Sequence, residues 1–339
     1  MPIRVLIIDD SRLMRGLLHA TLARFPEFEV VGEASDGKRG EILARELRPD
    51  VITMDVLMPM MGGIEAIEII MRDHPTPIVV VADLATHDAS VAMEAMARGA
   101  VDVFPKPQKG LDEAAARALT DILRRSAGIR LAKNPQPTGR RARHLLAPRT
   151  MQILGIVAST GGPRGLRTIL QVLPHPFPCP IAIVQHTSAG STEALAAWLS
   201  ASSPHHVVVA QEGQSLGPGQ VVVAPSEVHL TVEMGLRVRL LRGSLGDGHR
   251  PCGNVLLTSL AKHFRSYAVG VVLSGLGSDG AAGLRALEDA GGLVMIEDPA
   301  TAVVSGMPTA ALTSTNAPVV DVPEALASAL RRLHRGGTS

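Results

Sequence analysis

Short apolar runs alternate with amphipathic stretches twice along this chain, and that alternation limits the fold more than any other feature. From Ile3 to about Ser126 the runs are RVLIID, FEVVGEA, VITMD, IVVVA and VDVF. Between them, stretches such as RLMRGLLHATLARF and GGIEAIEIIMRD carry apolar residues at three- and four-residue spacing, the period of a helix with one buried face. Strands joined by helical crossovers run parallel. Five β-α units therefore predict a five-stranded parallel (βα)5 sheet with helices on both faces over residues 1–125. From Met151 the alternation resumes in MQILGIVAS, CPIAIVQH, HVVVAQE, QVVVAP, VRLL, AVGVVLSG and GGLVMIED. This predicts a second α/β domain over 150–335, doubly wound and mostly parallel. The halves share a class, not a sequence.

Between the two halves the pattern breaks. Residues 124–149 hold Arg124, Arg125, Arg130, Lys133, Arg140, Arg141, Arg143 and Arg149, no acid, and NPQPTG in their middle. The stretch reads as a flexible basic linker over 126–149, or alternatively as a docking patch for an anionic surface. Aromatic residues make up 2% of the chain and the net charge is +1. Both facts argue against a nucleic-acid partner, which needs stacking platforms or a strong positive field. Cys179 and Cys252 have no metal-like spacing, so a reduced cytoplasmic setting is expected. MPIRVLIIDD turns acidic at once, unlike a secretory signal, and no apolar run reaches the ~18 residues of a spanning helix.

In the first half, acids fall where strands end: Asp9 and Asp10 after RVLII, Asp55 after VITM. Open α/β sheets build their sites at the carboxyl ends of strands. Three carboxylates gathered there repel one another and create an oxygen-ligand site that suits Mg²⁺. A carboxylate beside such an ion can accept a phosphoryl group, and Lys106, in FPKP after the fifth run, can meet the phosphate as a point charge. The plainer alternative is a set of acids that cap helices.

Taken together, IIDDS, DVLMPMMGG and FPKP make the first half similar to the response-regulator receiver domain. The resemblance implies that Asp55 is the phosphoacceptor, that Asp9 and Asp10 hold Mg²⁺ with it, and that Lys106 contacts the phosphate. These domains usually carry Ser or Thr just after the fourth strand. IVVVADL has Ala82 there, with Asp83 and Thr86 nearby.

In the second half, ILGIVASTGGPRGLRTILQVL reads as a strand, a tight turn and a helix whose first turn holds Pro163. Ser159 sits at the turn. Gly161 and Gly162 would leave backbone N–H groups bare, offering donors to an oxyanion. A phosphate-binding turn or a simple helix cap are the alternatives. His186 follows IAIVQ and Asp279 follows VGVVLSGLGS, so Ser, His and Asp each stand at the end of a strand. Three such ends can converge as nucleophile, base and orienter. His205, His206, His229 and His249 are less well placed.

A competing reading comes from GLGSDG, residues 275–280. It fits G-x-G-x-x-G after an apolar run and before a helix, with Glu297 further on, a dinucleotide-binding pattern. It falls late, since a dinucleotide domain needs further β-α units after its fingerprint, and it leaves ASTGG and VQH unexplained. The glycines are better read as shaping a loop that carries Asp279 to His186. A phosphorylation-controlled scaffold without catalysis is a third reading, against which Ser159, His186 and Asp279 argue.

ASTGGP, VQH, VVVAPSEVHL, GDGHRP, LSGLGSDGAAGL and EDPATAVVSGMPTAAL run in the order found in the chemotaxis protein-glutamate methylesterases (CheB-type), which the second half resembles almost end to end. A receiver joined through a linker is that family's architecture. The resemblance implies Ser159 as nucleophile, His186 as base and Asp279 as orienter. Thr160 would join the glycine turn, Gly161 and Gly162, in the oxyanion site, and Leu276 takes a place where the family often has Met. It implies a γ-glutamyl methyl ester on methyl-accepting chemoreceptors as substrate, glutamine deamidation as a second activity, and a chemotaxis-type histidine kinase as phosphodonor. It also implies no cofactor for the esterase and recruitment to membrane receptor arrays. The chain departs from the family at Thr187-Ser188 and at Cys252-Gly253-Asn254, where Ser-Val-Asp is usual. These loops are expected to line the substrate groove.

Overall fold

A computed structural model describes residues 1–83, 88–107, 110–129, 131, 151–187, 190–243, 249–320 and 330–331. The chain divides into two compact units, Met1–Asn134 and Pro135–Ser339.

The first unit runs β1 (Ile3–Ile8), α1 (Arg12–Leu22), β2 (Phe28–Ala34), α2 (Gly37–Leu47), β3 (Val51–Met54), α3 (Gly63–Asp73), β4 (Ile78–Ala82), α4 (Asp88–Arg98), β5 (Asp102–Pro105) and α5 (Glu113–Ala127). The strand order is β2-β1-β3-β4-β5 and every pairing is parallel. VITM and IVVVA are buried at every position, as central strands covered on both faces must be. Short polar side chains start the helices. The Ser11 hydroxyl and the Asp36 and Asp112 carboxylates accept from the N–H groups of Met14, Arg39 and Ala115. The order reverses between β1 and β3, so the crevice of this sheet opens where Asp9, Asp10 and Asp55 leave those strands.

Helix α5 runs into the expected linker. Arg124, grouped above with the basic run, is a helical residue whose guanidinium pairs with Asp121 and Glu27 at 2.6 and 2.7 Å. The last turn of α5 carries Arg124 and Arg125, where cations complement the helix dipole. Most of the expected linker lies outside the described residues.

The second unit runs β6 (Ile153–Ala158), α6 (Gly162–Val172), β7 (Ile181–Gln185), α7 (Thr192–Ser202), β8 (Val207–Val209), β9 (Val221–Val223), β10 (His229–Glu233), β11 (Arg237–Leu241), α8 (Gly253–His263), β12 (Ala268–Val272), α9 (Ala281–Asp289), β13 (Leu293–Glu297), α10 (Gly306–Ser314) and β14 (Val319–Val320). Its main sheet has seven strands in the order β14-β13-β12-β6-β7-β9-β8, all paired in parallel. The VRLL run does not join it. It forms β11, antiparallel to β10 in a separate hairpin. HLTVE, which alternates polar and apolar residues, supplies the partner strand β10. VV at 319–320 is too short to read as one, yet it closes the sheet edge beside β13.

The chain leaves β6 toward β7, β9 and β8, then returns to the other side of β6 as β12. The order therefore reverses between β6 and β12, and the ends of β7, β6 and β12 lie side by side at that point. Among the described residues no helix is long and apolar enough to cross a membrane.

Candidate active site

Strand register sets the site. Ala158 is level with Gln185 on β7, and Val157 with Val272 on β12. One residue further, the His186 N–H donates to the Ala158 carbonyl and the Ser159 N–H to the Ser274 carbonyl, both at 3.0 Å. Ser159 and His186 thus leave adjacent strands at the same level. Asp279 does not stand at its strand end. It comes seven residues after Val272, at the close of the loop that leads into α9.

That loop still reaches His186. The His186 ring donates through Nε2 to Asp279 Oδ2 over 2.8 Å. Asp279 is 2% exposed, and the same carboxylate accepts from Gly253 N–H at 2.6 Å, from Asn254 N–H and Gly280 N–H at 2.8 Å, and from the Cys252 thiol at 3.1 Å. Burial alone would raise its pKa. The hydrogen bonds from His186, Gly253 and Asn254 outweigh burial and hold the carboxyl well below the usual carboxylate range. With Nε2–H given to Asp279, Nδ1 is the ring nitrogen left to take a proton. The His249 ring stacks on the His186 ring, centroids 4.8 Å apart and planes 17° apart.

Cys252 and Gly253 therefore do not line a groove, contrary to the expectation, while Asn254 is half-buried. Cys252 and Gly253 are buried behind Asp279, and Asn254 Oδ1 accepts from Gly283 N–H at 2.8 Å, tying this loop to α9. A hydrogen-bonded carboxylate with several lone pairs draws every nearby donor toward it. Thr187 is half-buried, and Ser188 lies outside the described residues.

Ser159 is 8% exposed and opens the turn into α6. Gly161 caps that helix with φ 78°, and a Cβ there would lie 2.6 Å from Val303 Cβ and 2.8 Å from Ser274 Oγ. Only glycine meets both the left-handed backbone and the close approach. The expectation of bare N–H groups at both glycines needs correcting at Gly162, whose N–H donates to the Ser159 carbonyl at 2.8 Å. Among the described residues, the N–H groups of Thr160 and Gly161 have no such acceptor. Leu276, half-buried, follows Gly275 in the loop beside Ser159.

Two positions that carried no role in the sequence reading brace this turn. Ser274 Oγ donates to the Thr160 carbonyl at 2.8 Å and accepts from Val304 N–H at 2.9 Å. Gln185, the last residue of β7, donates to the carbonyls of Ser159 and His186. A polar residue at the end of an otherwise apolar buried strand was the available signal. Glu297, the distal acid of the dinucleotide pattern, is 5% exposed and accepts from Ser274 N–H at 2.7 Å. It serves the loop from inside the core.

In the first unit, ligand atoms of Asp9, Asp10 and Asp55 lie within 4.8 Å of one another. Lys106 Nζ stands 2.5 Å from Asp55 Oδ2 and 3.6 Å from Asp9 Oδ2. Asp9 Oδ2 is buried with no hydrogen-bond partner among the described residues. Burial, only partly offset by Lys106, pushes the Asp9 carboxyl up to about 6, and its neighbour Asp55 adds to the rise. An orphaned buried oxygen between carboxylates fits a divalent cation. Ala82 is 1% exposed, and its carbonyl accepts from Lys106 N–H at 2.8 Å. Asp83 is half-buried, and Thr86 lies outside the described residues.

Comparison with known proteins bears on both units. The family model for the CheB methylesterase matches residues 154–330, and that for the response regulator receiver domain matches residues 5–147. A protein-glutamate methylesterase/protein-glutamine glutaminase of Anaeromyxobacter dehalogenans is 40% identical, over 97% of this chain and 98% of its own. One from Geobacillus kaustophilus is 37% identical over 98% of both chains. The crystal structure of the Thermotoga maritima CheB methylesterase catalytic domain superposes with a TM-score of 0.52 at 34% identity, covering 55% of this chain and all of that one.

Proposed function

Since the chain belongs to the CheB methylesterase family and opens with a response regulator receiver domain, we propose that it is a phosphorylation-regulated protein-glutamate methylesterase and protein-glutamine deamidase. Its substrates are glutamate methyl esters, and certain glutamines, on the cytoplasmic helices of methyl-accepting chemoreceptors. Residues 150–335 do the chemistry, residues 1–125 control it, and 126–149 link them.

The observation that carries the reading is the His186–Asp279 pair beside Ser159. His186 Nδ1 takes the Ser159 proton as the hydroxyl attacks the ester carbonyl. Asp279 stays ionised and stabilises the imidazolium that forms. The N–H groups of Thr160 and Gly161 face the developing oxyanion, with Leu276 at the rim. His186 returns the proton to the departing methanol, then activates water, and the acyl-enzyme releases a free carboxylate. With a glutamine, ammonia leaves instead. No step calls for a cofactor or a dinucleotide.

In the receiver, Asp9, Asp10 and Asp55 would hold Mg²⁺, which when bound neutralises charge as phosphate reaches Asp55. Asp55 is the phosphoacceptor, Lys106 pairs with the phosphoryl oxygens, and a chemotaxis-type histidine kinase is the donor. The unphosphorylated receiver restrains access to the esterase site, and phosphorylation shifts the population toward the open form. Work on receptor substrates draws the enzyme to membrane receptor arrays. The test is methanol release from methylated receptor membranes, with and without acetyl phosphate. Release by wild type, its loss in Ser159→Ala and stimulation by acetyl phosphate are expected. Release undiminished in Ser159→Ala would refute the assignment.

A further inference from the structure

We infer that Gln185 is a positioning residue that holds the nucleophile and the base in one frame, its single Nε2 donating to the main-chain carbonyls of both Ser159 and His186. The inference rests on the proposed roles of those two residues. The distances are 2.7 Å to Ser159 O and 2.9 Å to His186 O. Gln185 is 2% exposed and closes a strand, IAIVQ, whose other residues are apolar and buried.

A carboxamide in that place disfavours the fold unless it has a role there. Its Oε1 is buried with no hydrogen-bond partner among the described residues, and an unpaired buried acceptor is costly. The Ser159 carbonyl, in turn, does not need Nε2 for satisfaction, since Gly162 N–H already donates to it at 2.8 Å. At the Ser159 carbonyl, then, the amide adds a second donor, and at the His186 carbonyl it supplies the donor.

The side chain's direction is also determined. With the amide turned over, Oε1 would face two carbonyl oxygens and the bonds would become repulsions. Only a group with two N–H donors on one atom bridges both carbonyls, and glutamate cannot replace it. Gly162 makes room for this bridge, because a Cβ there would lie 2.3 Å from Oε1. The same Cβ would also lie 2.7 Å from Ala158 Cβ, so the glycine after Gly161 gives room both to the amide and to the end of β6. Tying the carbonyls of residues 159 and 186 restrains the backbone torsions that aim the hydroxyl and the imidazole. Errors near 1 Å in such aim cost about 100-fold in rate.

The experiment compares full-length wild type, Gln185→Met, Gln185→Asn and Ser159→Ala. It measures kcat and KM for methanol release from a peptide bearing a γ-glutamyl methyl ester, and the rate of Ser159 labelling by a fluorophosphonate. Circular dichroism reports folding. Gln185→Met keeps the length of the side chain without a donor, and Gln185→Asn keeps the amide without the reach. Both are expected to fold, to lose about 10- to 100-fold in kcat and in labelling rate, and to keep KM within about threefold. Wild-type kcat in folded Gln185→Met, or a loss confined to KM, overturns the inference. Failure of both Gln185 variants to fold overturns it too, since the residue would then hold the core and not the site. Labelling that persists in Ser159→Ala instead removes the nucleophile assignment beneath it.

Discussion

His186 and Asp279 stand 93 residues apart in sequence, and their side chains meet at 2.8 Å. Asp279 reaches that position on a loop pinned from behind by the donors of residues 252–254, so the carboxylate is held before it orients the imidazole. The pair is built as a unit, and its members should respond unequally to substitution.

Ser159→Ala should lose about 10⁶-fold in methanol release, and His186→Ala nearly as much, because members of the proposed catalytic unit are not additive. Asp279→Asn should cost less than either, about 10³- to 10⁴-fold. Parallel assays of methanol release and fluorophosphonate labelling on the three folded variants check the order. A milder loss in Ser159→Ala than in Asp279→Asn would reverse the roles.

Asp279 should also make stability depend on pH. Its folded pKa lies below the ordinary value of 3.8. A depressed carboxyl stabilises the fold fully above its unfolded pKa and loses that contribution as pH falls through the folded value. The stability that Asp279 contributes relative to Asp279→Asn should therefore shrink as pH falls below about 4. Urea denaturation between about pH 5 and 2 measures it, and a difference that grows below about pH 4 would contradict the account.

Cys252 contributes a thiol donor to the same carboxylate, buried at 0% exposure and 3.1 Å away. Cys252→Ser preserves a donor and should keep activity within about threefold. Cys252→Ala leaves Asp279 one donor short and should cost about 1 kcal/mol of stability with a larger drop in kcat. Equal activity in the two variants would show that the thiol is only filling space.

Gly275 lies against Ser159, the proposed nucleophile. A Cβ there would fall 2.7 Å from Ser159 Cβ and 2.1 Å from Met307 Sδ. The Met307 side chain can move and Ser159 cannot without leaving the site. Gly275→Ala should therefore lower Tm, by an overpacking cost of about 1–3 kcal/mol, and reduce kcat further than the stability loss explains. Adding Met307→Ala removes the clash with Met307 but leaves a cavity in the core, so neither the melting temperature nor the turnover should recover fully.

Ala82, the last residue of β4, leaves the receiver without the hydroxyl usual at that place. One hydrogen bond to a charged phosphoryl group contributes about 1.5–3 kcal/mol, against the ~5.5 kcal/mol needed to move a switch from 1:99 to 99:1. Phosphorylation should thus activate only partly. Deleting residues 1–145 should raise methanol release more than acetyl phosphate does, and Ala82→Thr should narrow the gap. Equal release from the truncated and the phosphorylated wild-type proteins would remove the imperfect switch.

Period and punctuation determined the two α/β units, because buried parallel strands must read as apolar runs and their crossover helices must be amphipathic. The candidate residues stood out because sheet sites gather at strand ends, and Asp9, Asp55, Ser159 and His186 each directly follow a strand. Local pattern could not reveal that VRLL would leave the sheet for a hairpin, since an edge strand and a core strand share the same short apolar text. Nor could it assign Cys252-Gly253-Asn254 to the back of Asp279, Glu297 to the core, or the Gln185 amide to the carbonyls of Ser159 and His186. Those contacts join residues tens of positions apart or depend on which way one side chain turns. They exist only once strand order has set β12, β6 and β7 side by side, because hydrogen bonding acts over about 3 Å in space and takes no account of separation along the chain.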